Sequence, residues 1–178
     1  MTNPSNSTLR QLTQQFSQAG KLDAIYLRPA RGVNCIAAQQ ADAIAQKGLV
    51  GDRTSSAPSR NPLGSNRQVT LIQAEHISVI SSLIGKPVDA NMLRRNLVVS
   101  GINLLAAKTL FKDQVMQLSI GDVILQVTGP CEPCSKMETT LGHGGYNAMR
   151  GHGGITAKII KGGELKVGDT ITCTPIQA

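Results

Sequence analysis

Three Gly-Asp pairs, Gly51-Asp52, Gly121-Asp122 and Gly168-Asp169, punctuate a series of short aliphatic runs, and this spacing limits the fold more than any other feature of the chain. Such pairs supply tight turns, so the runs between them read as short strands rather than long helices. Residues 22–27 form the first, leading into Arg28-Pro29-Ala30-Arg31-Gly32. Further strands are expected at residues 68–72, 96–99, 115–118, 123–128, 155–161 and 170–174. Ile120-Gly121-Asp122-Val123 and Val167-Gly168-Asp169-Thr170 should form equivalent turns. Many short strands with few helices predict a mainly β chain, closed or partly closed as a barrel.

Helical spacing occurs in two places. Leu9, Leu12 and Phe16 predict a short amphipathic helix within residues 7–19, and Ile77, Ile80 and Ile84 predict a firmer one that stops at Gly85. Residues 41–47 fit either strand or helix, and residues 54–66, rich in Ser, Pro, Asn and Gly, read as a surface loop that could serve as a lid. The 178 residues suit one domain, taken as 21–178, with residues 1–20 as an N-terminal extension.

A net charge of +7 attracts anions. Arg28, Arg31, Arg53, Arg60, Arg67, Arg94 and Arg95 are scattered near expected turns and strand ends, and Phe16, Tyr26, Phe111 and Tyr146 are the only aromatics. A small phosphorylated ligand fits that scatter better than nucleic acid, which calls for bases stacked on aromatic rings. A solvated basic surface with no specific ligand explains the charge equally well until motifs are considered. No stretch reads as a signal peptide or membrane span, so a cytoplasmic protein with no membrane partner is expected. In a reducing cytosol Cys35, Cys131, Cys134 and Cys173 are expected as thiols or metal ligands.

The chemistry concentrates in Gly129-Pro130-Cys131-Glu132-Pro133-Cys134, which follows the strand at 123–128 and so places both thiols where the chain leaves the sheet. Three readings compete with that of two buried apolar cysteines. A redox dithiol would need the pair at the start of a helix in a βαβ unit, and Gly142, Gly144 and Gly145 argue against a long helix there. A zinc site would need two further ligands, and His143, His152, Cys35 and Cys173 do not fall at zinc-module spacing. A thiolate presented to a metal or substrate, with arginines holding the anionic part of a cofactor, accounts for more of the chain. His76, alone on its helix, reads as a surface or satisfied residue. The glycine-rich stretch 142–154 reads as a connector that carries His143 and His152.

Gly48-Leu49-Val50-Gly51-Asp52-Arg53, Arg94-Arg95-Asn96-Leu97-Val98-Val99-Ser100-Gly101, Ile120-Gly121-Asp122-Val123 leading to Pro133-Cys134, and Gly153-Gly154-Ile155 through Gly168-Asp169 occur in an order and spacing that resembles the MOSC domain. That module ends the molybdenum cofactor sulfurases and occurs in the mitochondrial amidoxime-reducing component. The resemblance spans roughly residues 22–175 and implies a β-barrel with a few peripheral α-helices, binding a pyranopterin molybdenum cofactor through a cysteine thiolate. Carried over residue by residue, it makes Cys134 the metal ligand and catalytic residue. Arg53, Arg94 and Arg31 become contacts to the cofactor's anionic groups, Arg31 standing where relatives have lysine; Asn96 and the companion thiol Cys131 join the cofactor-binding set. It further implies reduction of N-hydroxylated small molecules, with electrons from an external electron-transfer protein. A carrier of sulfur or cofactor, served by an external sulfur donor, is the alternative within the family, and a non-catalytic barrel binding a phosphorylated ligand or nucleic acid is the alternative outside it. Glu132 replaces the smaller residue that amidoxime reducers carry between the cysteines, which leaves the substrate pocket open.

Overall fold

A computed structural model describes residues 7–56 and 64–176. Among them the strands are β1 (Gly20–Leu27), β2 (Ile36–Ala38), β3 (Gln40–Ile44), β4 (Gly48–Leu49), β5 (Val69–Gln73), β6 (Leu97–Ser100), β7 (Met116–Ile120), β8 (Val123–Pro130), β9 (Ile155–Lys161), β10 (Gly163–Lys166) and β11 (Thr170–Pro175). The helices are α1 (Leu9–Leu12), α2 (Arg53–Ser56), α3 (Ala74–Ile84), α4 (Ser135–Leu141) and α5 (Gly145–Met149). No described helix is long and apolar enough to cross a membrane.

Strands β11, β7, β8, β9, β5, β6 and β1 pair in that order, and Gly20↔Ile171 and Lys21↔Thr170 join β1 back to β11, which closes a barrel. Closure leaves no free edge in the ring. β2 pairs with the C-terminal end of β1, while β10, β3 and β4 form a separate small sheet. Within the ring only β5 and β6 run parallel, and the connection between them contains α3.

Alternation along β5 and β6 sorts the apolar residues into two cores. Leu71, Leu97 and Val99 point into the barrel with Leu22, Ile25, Leu118 and Leu125. Ile72 and Val98 point outward, where Ile80 of α3, Met137 and Leu141 of α4, and Met149 of α5 cover them. Each such side chain contributes about 1.5–3 kcal/mol by leaving water, so the helices are fixed to the outer face of this parallel pair. α3 ends as its spacing predicts, with Gly85 left-handed at φ 73°.

The structure corrects two sequence expectations, resolves a third and bears out a fourth. The N-terminal helix is only Leu9–Leu12, because Leu9 and Leu12 remain exposed and only Phe16 packs against the barrel core. The ambiguous stretch at 41–47 is mostly strand β3, whose Ala41 and Ala43 are buried in alternation. The expected loop at 54–66 begins inside a helical turn, α2; residues 57–63, with Arg60 and most of the supposed lid, lie outside the described residues. The chain after Cys134 does enter a helix, α4, kept to two turns by Gly142 at φ 92°.

Candidate functional site

The exit of β1, the β4–α2 turn, the entries to β5 and β6 and the exit of β8 converge on one cavity of about 600 Å³. Its walls include Arg28, Arg31, Arg53, Arg67, Arg94, Arg95, Lys136 and Cys134, with Glu132 as the sole acid among the described lining residues. Arg31, Arg53, Arg94 and Cys134, expected from the sequence, therefore meet at one site. Asn96 and Cys131 do not line it.

Asp52 holds the arginine-bearing segments together. Its buried carboxylate accepts from Arg28 N at 3.0 Å, Arg28 Nε at 3.2 Å and Asn96 Nδ2 at 2.8 Å through one oxygen. The other oxygen accepts from Thr54 N at 3.0 Å and Thr54 Oγ1 at 2.7 Å. Burial pushes this carboxyl upward, but the Thr54 amide and hydroxyl and the Arg28 cation outweigh it and hold the group below its ordinary range. Asn96 is equally committed: its Oδ1 accepts from Thr70 N and Thr70 Oγ1, and its Nδ2 also donates to the Tyr26 carbonyl. Asn96 thus ties β1, β5 and the Gly51-Asp52-Arg53 turn, a positioning role that the motif alone did not reveal.

Arg95, also buried, secures the cysteine segment. Its Nε donates to the Gly153 carbonyl at 2.6 Å, Nη1 to Leu93 at 2.9 Å and Nη2 to Cys131 at 3.0 Å. Cys131 N donates to the Gly154 carbonyl at 2.8 Å. The Cys131 thiol is buried, with Arg67 Nη2 3.4 Å from its Sγ. Three residues on, Cys134 occupies the N-cap position of α4 in an extended conformation, makes no side-chain cap hydrogen bond, and leaves its thiol exposed on the cavity wall.

The remaining cations have spare capacity. Arg31, Arg53, Arg94 and Lys136 make no salt bridge among the described residues. Arg53 Nε is buried with no hydrogen-bond partner, and Arg94 sits in the left-handed region at φ 59°. A left-handed arginine carries backbone strain that its surroundings must sustain, and such residues cluster at ligand sites. Guanidinium forks lining a concave space are suited to phosphate and similar anions.

Sequence reasoning missed Arg28, Arg67, Arg95, Lys136 and Asp52 as members of this site. The Arg94-Arg95 pair and the Arg that closes the polar stretch before β5 were the available signals. All four cysteines are free thiols. Burial pushes Cys173 up to about 12 and Cys35 in the same direction, although Arg28 and Arg94 oppose the latter shift. No three His, Cys, Asp or Glu residues gather as a cluster among the described residues. His143 is exposed, with Nδ1 3.9 Å from Glu138 Oε1, and neither it nor His152 is among the lining residues.

A family model described as MOSC domain matches residues 58–172. Among solved structures, the chain is similar to the YuaD protein from Bacillus subtilis, with 19% identity, a TM-score of 0.74, and coverage of 92% of this chain and 100% of that one. YiiM from Geobacillus stearothermophilus aligns at 15% identity and TM-score 0.64, covering 89% of this chain and 75% of its own. For YiiM from Escherichia coli the values are 16%, 0.62, 90% and 71%. At these identities the structures speak for the fold alone. No curated protein matches the chain at a significant level.

Proposed function

Because the chain belongs to the MOSC domain family, we propose that its arginine-lined cavity holds a pyranopterin molybdenum cofactor with Cys134 as the metal's protein ligand, and that the loaded protein reduces N-hydroxylated small molecules with electrons from a separate donor protein. The observation that carries this reading is the buried Arg53 Nε without an acceptor beside a cavity that also presents Arg31, Arg94 and the exposed Cys134 thiol. The residues present fit the group: the exposed Cys134 thiol on the cavity wall suits a metal ligand, and Arg53, whose Nε is buried without an acceptor, suits a phosphorylated cofactor.

In this reading Arg31, Arg53 and Arg94 hold the anionic end, while Arg28 and Arg95 maintain the cavity's shape through Asp52 and the Cys131 carbonyl. When bound, the cofactor would supply a two-electron centre able to take oxygen from an N–O bond. Cys134 would anchor that centre at the cavity wall, where Glu132 is the one acid among the described lining residues.

Molybdenum and pterin analysis of protein from a cofactor-competent host tests the assignment. The wild type should retain both in equal amounts, and Cys134→Ser should bring molybdenum to background. Stoichiometric metal in the mutant would remove Cys134 as the ligand. Retained cofactor with no turnover of any N-hydroxylated compound, given a competent electron donor, would identify a carrier instead. No cofactor together with salt-sensitive nucleic-acid binding would favour the non-catalytic barrel.

The anion-binding part can be measured without cofactor. Arg53→Met should weaken binding of inorganic phosphate to the cofactor-free chain by roughly tenfold or more, the loss expected for a charge-assisted hydrogen bond at a partly buried cation. Calorimetric titration reads it directly, and an unchanged affinity would place the anion elsewhere.

A further inference from the structure

A pair of histidines that the anion cavity does not use joins α3 to the segment before β9. The His76 and His152 rings pack edge to face with centroids 5.1 Å apart, and Nδ1 of each is buried without a hydrogen-bond partner. Buried ring nitrogens without partners cost stability, so their presence calls for an explanation. His152 directly precedes Gly153, whose carbonyl accepts from Arg95 Nε at 2.6 Å. The same guanidinium reaches the Cys131 carbonyl, and Gly154 accepts from Cys131 N. The histidine contact, Arg95 and the cysteine segment are consecutive links in one series of contacts.

We propose that the His76–His152 contact positions the segment from Cys131 to Cys134 in a protonation-dependent manner, acting through Gly153, Gly154 and Arg95. Only the consequence for catalysis rests on the molybdenum reading; the linkage is a property of the chain itself.

Burial pushes the His76 imidazole below its ordinary value of 6.5, and neighbouring His152 pushes it the same way, against Glu75 and a main-chain hydrogen bond to His152. Glu75 is already engaged, accepting from Gly101 N at 2.7 Å. The elements packed most extensively against α3 are α5, β5 and β6, with Met137 and Leu141 of α4 in the same apolar cluster as Ile80. Neither β5 nor β6 carries an ionisable residue, and α5 carries only the exposed Tyr146. On the facing segment Arg150 is exposed, and Arg95 lies beyond Gly153. Glu75 is the one acid among the described residues that acts on the His76 ring.

A depressed His76 imidazole means that the closed contact prefers a neutral His76 ring. Protonation, which sets in as the pH falls below 6.5 and through the lower folded value, favours separation of α3 from the 152–154 segment. Movement of Gly153 then loosens its bond to Arg95, and with it the hold of Arg95 on the Cys131 carbonyl.

A ¹⁵N NMR titration of the full-length chain from about pH 8 to about pH 5 tests this, because that window spans imidazole titration. The Arg95 Nε–H signal and the Cys131 and Cys134 amides should shift with the same midpoint as the His76 ring signals, below 6.5. In His152→Phe, which keeps an aromatic edge, and in His76→Gln, that shared titration should vanish; the second variant serves if the first does not fold. Flat Arg95 and Cys131 signals in the wild type, or a titration that survives in a folded variant, would overturn the proposal. Molybdenum content plays no part in the readout, so the linkage can fail in a chain that binds cofactor and hold in one that does not.

Discussion

Gly154→Ala should yield little or no soluble folded protein. Gly154 has φ 82°, a conformation that costs an L-residue roughly 1–2 kcal/mol by itself. Its backbone also lies so close to β5 that an added Cβ would collide with the Leu71 carbonyl oxygen and the Ile72 Cα. Neither is a flexible side-chain end, so β5 or the β9 entry must move, and Gly154 O could no longer hold Cys131 N in place. Strain and overpacking together reach about 2–5 kcal/mol, a large share of the 5–15 kcal/mol that keeps a typical domain folded. Gly151→Ala provides the contrast: its φ of 77° carries the same backbone penalty, but a Cβ there meets nothing within 4 Å. Soluble yield and urea unfolding of the two variants should differ sharply, and comparable stability would mean that the β5 approach is not tight.

The second large effect belongs to Asp52. Asp52→Ala removes the acceptor for Arg28, Asn96 and Thr54 at once and leaves a largely buried guanidinium without its counter-charge, at a cost of about 4 kcal/mol. The milder Asp52→Asn isolates the charge. Because the folded carboxyl lies below its ordinary 3.8, its contribution is fully present above that value and is lost as pH falls through the lower folded value. Urea midpoints of wild type and Asp52→Asn should therefore stay separated by a constant amount above about pH 5 and converge below about pH 4. A gap that persists into acid would show that the charge on Asp52 contributes no stability.

These two residues also mark where sequence patterns stop informing. Strands β1, β5, β8 and β9 were readable because alternation and turn residues act locally, and α3 because Ile77, Ile80 and Ile84 repeat at helical spacing before Gly85. The N-terminal stretch had the same spacing without a surface to cover it, so only one turn formed. Strands β2 and β10, at three and four residues, are too short for a period to appear. At the site, Arg31, Arg53, Arg94 and Cys134 could be named from ordered motifs. The division of labour among arginines could not, since it depends on neighbours distant in sequence. Arg28 is paired with Asp52, Arg95 is consumed by three carbonyls, and Arg53 is left with an unmet donor. Asn96 shows the same gap: its motif position suggested a ligand contact, and its hydrogen bonds make it a joint between strands.

Closure of the barrel by β1 and β11 has a kinetic consequence. Gly20 and Ile171 meet across nearly the whole described chain, so the ring cannot be completed on the ribosome until the last strand has emerged. Until then β1 and β7 each present an unpaired edge, and the aliphatic interior stays open to water. Loss of β11 by premature termination would make that exposure permanent, and such fragments should aggregate or be degraded rather than persist as a partly working site.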